Sequence, residues 1–128
     1  MINVDTHAFV WWRGESARLS IEARRQLDRS LEVGVSDIVL WEIAMLIERG
    51  VLEIKGSARA WLADALSEPA VRILPITPAI AVRAVEIGRV LSRDPADHLI
   101  AATALEYDVP LVTADQALGG FGPLRTIW

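Results

Sequence analysis

Short apolar runs alternate along this chain with longer segments whose apolar residues recur at helical spacing. The runs that predict strands begin at Ile2, Val33, Val71 and Pro110. The residues that follow them are common helix caps: Asp5, Ser36, Thr77 and Asp115. Parallel strands need a crossover between them, usually a helix, so this alternation is typical of an α/β domain. We therefore predict a mainly parallel central sheet between helices.

The predicted helices are bounded by capping residues, prolines and glycines. They cover 8–12, a segment capped by Ser20, 37–49, 57–66, a segment opened by Thr77-Pro78, and 96–107. In the second helix, Ile21, Leu27 and Leu31 are predicted to contribute to the apolar stripe. A last edge strand is predicted at 125–128. No internal repeat or linker interrupts the chain, so residues 1–128 are predicted to form one domain.

The composition indicates a soluble protein that associates with another subunit. Hydrophobic residues make up 52% of the chain, slightly more than in an average soluble domain, so a partner is expected to cover some apolar surface. The absence of cysteine excludes disulfides, zinc–thiolate sites and thiol nucleophiles. The N-terminus lacks a signal-peptide pattern, and the most apolar stretch, 38–47, is too short to span a bilayer. We expect a cytoplasmic protein with no membrane segment.

The charge pattern narrows the range of functions. The net charge of −4 argues against non-specific nucleic-acid binding through a large basic surface. Lys55 is the only lysine, so a phosphate-binding glycine-rich loop ending in Lys is excluded. A phosphatase or receiver domain with an Asp nucleophile is also disfavoured. No second Asp follows Asp5 two residues on, and no Lys follows a later strand.

Four carboxylates lie near predicted strand ends or helix starts, in otherwise apolar segments: Asp5, Glu42, Asp97 and Asp115. A buried carboxylate is costly, so such residues need a cation, a hydrogen-bond donor or access to water. Four of them in one place repel unless a hard cation neutralises them. Oxygen ligands without Cys favour Mg²⁺ or Mn²⁺ over zinc. A metal-dependent site is therefore the leading hypothesis.

Each carboxylate also has a purely structural interpretation. Asp5 and Asp115 follow strands, where an Asp often caps the next helix. Asp97 falls in the first turn of its helix, where a negative charge is favourable without a metal, and Asp94 is the predicted N-cap. Glu42 is more informative, because its apolar helix is expected to leave it only a narrow solvated edge.

The histidines and tryptophans carry less information. His7 and His98 have no histidine partner four residues away, so we interpret them as ordinary polar or structural residues. The five Trp residues fit a core or an interface better than a base-stacking surface. Trp11 and Trp12, which lie near the predicted site, are the exceptions.

The motifs around the carboxylates resemble the PIN-domain family, and most closely the toxin ribonucleases of VapBC-type toxin–antitoxin pairs. The matching segments are Val4-Asp5-Thr6-His7, Leu40-Trp41-Glu42-Ile43-Ala44, the stretch from Arg93 to Ala101, and Leu111-Val112-Thr113-Ala114-Asp115. Asp97 and Asp115 are 18 residues apart (115 − 97). The order of the segments, which extend over almost the whole chain, makes the resemblance specific.

The resemblance implies a three-layer PIN-like fold, a homodimer, and a metal site formed by Asp5, Glu42, Asp97 and Asp115. Thr113 matches the family's hydroxyl residue beside that site. The supporting residues are Thr6, Asp94, Arg13 and Arg93. The two arginines are candidates to hold phosphate, with an ordinary solvated arginine as the alternative for each. His98 departs from related toxins, which often carry Arg there.

The implied function is that of a toxin endoribonuclease of a type II toxin–antitoxin module. It would hydrolyse RNA phosphodiester bonds with Mg²⁺ or Mn²⁺ at the four-carboxylate site. The implied partners are the RNA substrate and a cognate antitoxin, in a heterotetramer or a larger assembly. The alternative is a catalytically inactive PIN-like module that binds RNA or protein. The retained spacing of all four acids counts against that alternative.

Overall fold

The computed structural model describes residues 1–128 as five strands and seven helices. The strands are β1 (Ile2–Val4), β2 (Val33–Ser36), β3 (Val71–Leu74), β4 (Leu111–Val112) and β5 (Thr126–Ile127). The helices are α1 (Thr6–Arg13), α2 (Ile21–Arg29), α3 (Asp37–Glu48), α4 (Ala58–Leu66), α5 (Pro78–Gly88), α6 (Pro95–Glu106) and α7 (Gln116–Gly119). All strand pairs are parallel, which confirms the predicted α/β fold. No helix combines the length and apolar character needed to cross a lipid bilayer.

The strand order, β3-β2-β1-β4-β5, reverses at the central strand β1. Val4 pairs with Val35 on one side and with Val112 on the other. With right-handed crossovers, the helices before β3 and those after it cover opposite faces of the sheet. Where the order reverses, a crevice opens outside the carboxyl ends of the strands. Asp5 directly follows β1, and Asp115 follows β4, at this edge.

Helix α6 packs closely in the core through small side chains. Ala101 and Ala104 are fully buried, as is the larger Ile100. The buried Asn3 of β1 donates a hydrogen bond from Nδ2 to the carbonyl oxygen of Ile100, at 3.4 Å. This bond satisfies a polar group that would otherwise be costly to bury. It also ties the central strand to the helix that carries Asp97.

Helix α3 is less buried than its sequence predicts. Only Val39 and Ile43 are buried, and Trp41 is 59% exposed. The helix contacts α1, α4 and α6 but leaves part of its apolar surface open. The expectation that α3 is largely buried, with only a narrow solvated edge for Glu42, is therefore wrong. Exposed surface adjoins Glu42 on the same helix.

The apolar stripe predicted for α2 is also partly wrong. Ile21 and Leu31 are 89% and 92% exposed, and the buried residues of this helix are Ala23 and Leu27. Ile21 is the first helical residue, and Leu31 lies beyond the C-cap Ser30. Neither end of the predicted stripe therefore continues the buried face of the helix.

Candidate functional site

All four predicted carboxylates line one cleft at the carboxyl edge of the sheet, with a volume of about 540 Å³. The residues that line it are Asp5, Thr6, His7, Trp11, Arg18, Glu42, Arg93, Asp94, Asp97, Ala114 and Asp115. Five of these are acidic and two are arginines, so the cleft has a surplus of negative charge. The sequence-based grouping of the four carboxylates is therefore matched by their positions in the fold.

Asp5 is both a helix cap and part of the cleft. It is only 8% exposed, and its Oδ1 accepts a hydrogen bond of 2.8 Å from the backbone amide of Ala8 at the start of α1. Its Oδ2 accepts a hydrogen bond from the hydroxyl of Thr113. Burial raises the pKa of the Asp5 carboxyl, and the bonds from Thr113 and Ala8 oppose that rise. The cap and the site are thus functions of the same side chain.

Asp115 has the same double role at the end of β4. Its Oδ1 accepts hydrogen bonds of 2.8 and 3.0 Å from the backbone amides of Ala117 and Leu118, which cap the single turn of α7. Its Oδ2 pairs with Arg93. The backbone amide of Asp115 donates to the hydroxyl oxygen of Thr113 at 3.0 Å. Thr113 therefore connects the carboxylate of Asp5 to the backbone amide of Asp115. The sequence did not predict α7, because four residues are too few to show helical periodicity.

Glu42 and Asp97 complete the acidic wall from two helices. Glu42, half-buried in α3, accepts a hydrogen bond from the hydroxyl of Thr6. Asp97 lies in the first turn of α6. Burial, together with the charges of Glu42 and Asp115, raises the pKa of the Asp97 carboxyl to about 6, while Arg93 opposes the rise. Burial and the neighbouring carboxylates together therefore favour a proton on Asp97 at mildly acidic pH.

Asp94 occupies the predicted N-cap position of α6, but its side chain makes no capping hydrogen bond. Its backbone carbonyl accepts from the amide of Asp97 at 2.9 Å instead. The side chain lies exposed at the cleft. The predicted N-cap position of Asp94 is therefore confirmed, but its side chain takes no part in the cap, and Pro95 at the first helical position suits the start of the helix.

Arg13 does not reach the carboxylate cleft. Its guanidinium pairs with Glu68 at 3.2 Å and lies 5.4 Å from the ring centre of Trp12. It lines a separate cavity with Arg24 and Asp28. Arg13 is the last residue of α1, and the helical rotation turns it away from the cleft. The structure thus brings Arg93 to the site and leaves Arg13 outside it.

His98 also lies outside the cleft, where it supports the loop that carries Arg93. Its Nε2 is 2.9 Å from the carbonyl oxygen of Leu91, and its ring packs directly on Gly88. A Cβ atom at Gly88 would approach the ring to 3.1 Å, so a larger residue there would have to push the ring back by a few tenths of an ångström. This agrees with the prediction of an ordinary structural histidine.

Two cleft residues, His7 and Arg18, are absent from the predicted site, whereas Trp11 was set apart from the other tryptophans as lying near it. His7 and Trp11 are four residues apart on α1 and therefore share one helix face, with ring centres 5.7 Å apart. Asp5 lies just before that helix, so this spacing could have identified them. Arg18 lies in the loop before α2, where no periodicity signals a side chain's direction.

The donor set of the cleft fits a hard divalent cation. All four carboxylates offer oxygen ligands, and the raised pKa of Asp97 reflects repulsion that a cation would relieve. No group of three or more acidic or histidine side chains is close enough in the present arrangement to hold an ion. Thr113 and Arg93 already bind one oxygen each of Asp5 and Asp115. A bound cation would therefore compete with Arg93 for Asp115.

Known proteins resemble the chain over almost its whole length. The family model described as "PIN domain" matches residues 2–120. Ribonuclease VapC22 of Mycobacterium tuberculosis is 36% identical over 127 residues, which covers 98% of this chain and 96% of the relative.

Two solved structures have the same fold at lower sequence identity. VapBC2 from Rickettsia felis, solved with a DNA fragment from its promoter, matches with a TM-score of 0.75 and 19% identity, covering 99% of this chain and 98% of that one. VapC20 of Mycobacterium tuberculosis, described as a sarcin-ricin loop cleaving toxin, matches with a TM-score of 0.65 and 24% identity, covering 98% and 99%. These two structures share the fold of the chain. The family match and the 36% identical relative place the chain in the PIN-domain family, among its VapC-like members.

Proposed function

We propose that this protein is the toxin endoribonuclease of a type II toxin–antitoxin module. It would hydrolyse RNA phosphodiester bonds at the four-carboxylate cleft in a reaction that depends on Mg²⁺, with Mn²⁺ as a substitute. The observation that carries the proposal is the gathering of Asp5, Glu42, Asp97 and Asp115 in one cleft. The 36% identical relative is named a ribonuclease, and VapC20 is described as a sarcin-ricin loop cleaving toxin, which supports the same chemistry here.

The four carboxylates would hold the cation, and the other cleft residues would position them. When bound, Mg²⁺ supplies Lewis-acid stabilisation of the negative charge that develops on the phosphate during hydrolysis. Asp5 is fixed by Ala8 and Thr113, and Glu42 is oriented by Thr6, so both are pre-organised. Hydrogen bonds of this kind keep a ligand in place before the cation arrives.

Arg93 is the cleft residue best suited to contact the substrate phosphate. Its guanidinium already lies at the carboxylates, where it pairs with Asp115, and 38% of its side chain is exposed. Guanidinium groups bind phosphate through paired hydrogen bonds. Once a cation neutralises Asp115, Arg93 is free to bind a phosphate next to the bond that is cut.

The proposed partner is a cognate antitoxin. Solved structures with the same fold include toxin–antitoxin complexes from Rickettsia felis and Klebsiella pneumoniae. An acidic cleft next to exposed apolar surface, such as Trp41 on α3, suits a segment that combines an apolar helix with an arginine. That arginine would neutralise the carboxylates in place of the metal. We also propose a homodimer, since Val82 and Val85 on α5 are 61% and 64% exposed.

The proposal is tested by expressing the protein alone and together with the product of any small reading frame found next to its gene. Alone, the protein should inhibit growth, and the purified protein should cleave RNA in Mg²⁺ but not in EDTA. Co-expression should restore growth, and the purified complex should cleave RNA far more slowly. If the protein is harmless alone and no small protein co-purifies, the toxin role is wrong.

A second outcome would favour the inactive binding module. In that case the protein would bind RNA or a protein partner, but a titration with Mg²⁺ or Mn²⁺ would show neither binding heat nor cleavage. The partial burial of Asp97 beside Glu42 and Asp115 counts against this alternative, since such carboxylates are costly to keep ionised together without a cation.

A further inference from the structure

The cleft continues into three aromatic rings that the carboxylate site does not use. We name His7, Trp11 and Trp128 the aromatic row. The ring centres of His7 and Trp11 are 5.7 Å apart, and those of Trp11 and Trp128 are 5.8 Å apart. His7 and Trp11 are part of the cleft lining, so the row begins at the carboxylates and extends away from them.

The rings of the aromatic row leave ring surface open to a ligand. Adjacent rings are tilted by 49° and 57°, so they do not stack face to face and cover one another. His7 is exposed, Trp128 is 42% exposed, and Trp11 is half-buried. Trp12, the next residue on α1, differs: it is buried, and its Nε1 donates to Asp28 at 2.8 Å. The row is therefore surface, whereas Trp12 is core.

A cation without a partner lies beside the row. Arg18 lines the cleft and also a smaller adjoining cavity with Trp11, yet its guanidinium takes part in none of the six ion pairs. Its only hydrogen bond is from its backbone amide to Ser16. A free guanidinium next to open rings combines the two contacts that single-stranded nucleic acid needs, one for phosphate and one for a base.

We propose that the aromatic row is a nucleobase-binding subsite for single-stranded RNA, with Arg18 holding an adjoining phosphate. The inference rests on the proposed ribonuclease function, because that function places an RNA strand at the carboxylates, from which it would run along the aromatic row. Five acidic residues against two arginines make the cleft a poor binder of a polyanion by charge alone. Stacking on Trp11 supplies affinity that does not depend on charge, and it requires an unpaired base. The subsite would therefore select RNA whose bases are free.

The test compares two RNA probes in an Asp97→Asn background, which prevents cleavage during the measurement. One is a single-stranded oligoribonucleotide of about ten nucleotides, and the other has the same backbone without bases. We expect the probe with bases to bind roughly tenfold more tightly, with quenching of tryptophan fluorescence. Trp11→Ala should abolish this preference, Trp11→Phe should retain most of it, and Trp128→Ala should reduce it severalfold. Arg18→Gln should weaken both probes equally.

Trp41→Ala is the matched control, because Trp41 is more exposed than either row tryptophan but does not line the cleft. It should leave the preference unchanged. Trp128→Ala removes a residue that is 42% exposed at the end of the chain, so it tests the proposal even if Trp11→Ala fails to fold. The proposal is overturned if Trp128→Ala and folded Trp11→Ala keep the full preference for bases. Loss of antitoxin binding in these variants with RNA binding intact would also overturn it, by assigning the row to a protein partner.

The two proposals fail in different ways. If the protein with native carboxylates cleaves no RNA in Mg²⁺ but the base preference depends on Trp11, the ribonuclease function is wrong and the subsite stands. If cleavage is normal in Trp11→Ala and Trp128→Ala, and neither variant changes base preference, the subsite is wrong and the ribonuclease stands.

Discussion

Thr113 donates a hydrogen bond from its hydroxyl to Oδ2 of Asp5, and in this way joins the ends of β4 and β1 at the cleft. The same bond lowers the pKa of Asp5 against the effect of burial. A buried carboxylate depends on such a donor to remain ionised, and an ionised Asp5 is what a cation needs. We therefore expect the hydroxyl of Thr113 to favour binding of the proposed metal by keeping Asp5 ionised.

We predict that Thr113→Val weakens Mn²⁺ binding and slows RNA cleavage by about tenfold, the usual effect of losing a group that orients a metal ligand. Valine has the shape of threonine but no donor, so the pKa of Asp5 rises and protons compete with the metal. Thr113→Ser keeps the donor and should behave almost like the native protein. Titration calorimetry with Mn²⁺ measures the effect directly. Native metal affinity in Thr113→Val would contradict this role.

Asp97 and Asp94 offer a matched pair at the start of α6. Asp97→Asn should reduce cleavage by at least about a hundredfold, because it removes a charge from the proposed metal site. Asp94→Asn should have a mild effect, since the Asp94 side chain makes no capping bond and only its backbone carbonyl accepts from Asp97. Initial rates on one RNA substrate in Mg²⁺ compare the two. Equal loss in both variants would show that Asp94 is a ligand as well.

The raised pKa of Asp97 predicts how the stability of the metal-free protein changes with pH. The pKa is 3.8 in the unfolded reference and about 6 in the fold, so the folded state binds more protons between these values. The free energy of unfolding therefore falls as pH rises from about 4 to about 6, and the deficit is complete above that range. Asp97→Asn lacks this deficit. Since Asp97 is only partly buried, we expect about 1 kcal/mol of added stability near neutral pH.

Denaturant unfolding in EDTA at several pH values measures this difference. The gain of Asp97→Asn over the native protein should disappear below about pH 4, where the carboxyl is protonated in both states. Addition of Mg²⁺ near neutral pH should stabilise the native protein more than the variant. A gain that does not change with pH would mean that the variant acts through packing rather than charge.

Two arginines that the sequence treats alike should behave differently. Arg93→Gln removes the cleft guanidinium and should slow cleavage by roughly tenfold, the worth of one charge-assisted hydrogen bond to phosphate. Without Arg93 at Asp115, the metal should bind more tightly. Arg13→Gln loses the ion pair with Glu68 and the contact with the Trp12 ring, both outside the cleft, and should leave cleavage unchanged, at a cost of about 1 kcal/mol or less in stability. Slower cleavage in Arg13→Gln with stability intact would contradict this assignment.

The sequence predicts a site residue better when a strand or helix determines the direction of its side chain than when the residue lies in an irregular loop. Asp5 and Asp115 follow strands that are parallel neighbours of one sheet, so their meeting follows from topology. Asp97 follows from its place in the first turn of a helix. Arg13 and Arg18 show the limit: one is turned away by the end of α1, and the other reaches the cleft from an irregular loop.

The packing of individual side chains was harder to predict than the elements. Glu42 was singled out because its helix is apolar nearly all round, yet much of that apolar surface is open. The sequence records that a residue is apolar, not whether the chain itself or a partner covers it. Ile21, the first residue of α2, and Leu31, beyond its C-cap, show a related limit: the apolar pattern continues in sequence past the part of the helix that packs on the core.

Asp5 and Asp115 each cap a helix with one carboxylate oxygen and line the cleft with the other. This arrangement has a genetic consequence. Asparagine retains the capping oxygen but loses the charge. We therefore expect it to inactivate the proposed site while the helix keeps its cap. Aspartate codons become asparagine codons by a single transition at the first base. If the protein inhibits growth as proposed, a single base change is therefore enough to give a folded copy that no longer does so. Among surviving clones, Asp-to-Asn changes at these two positions should be more frequent than chance alone gives.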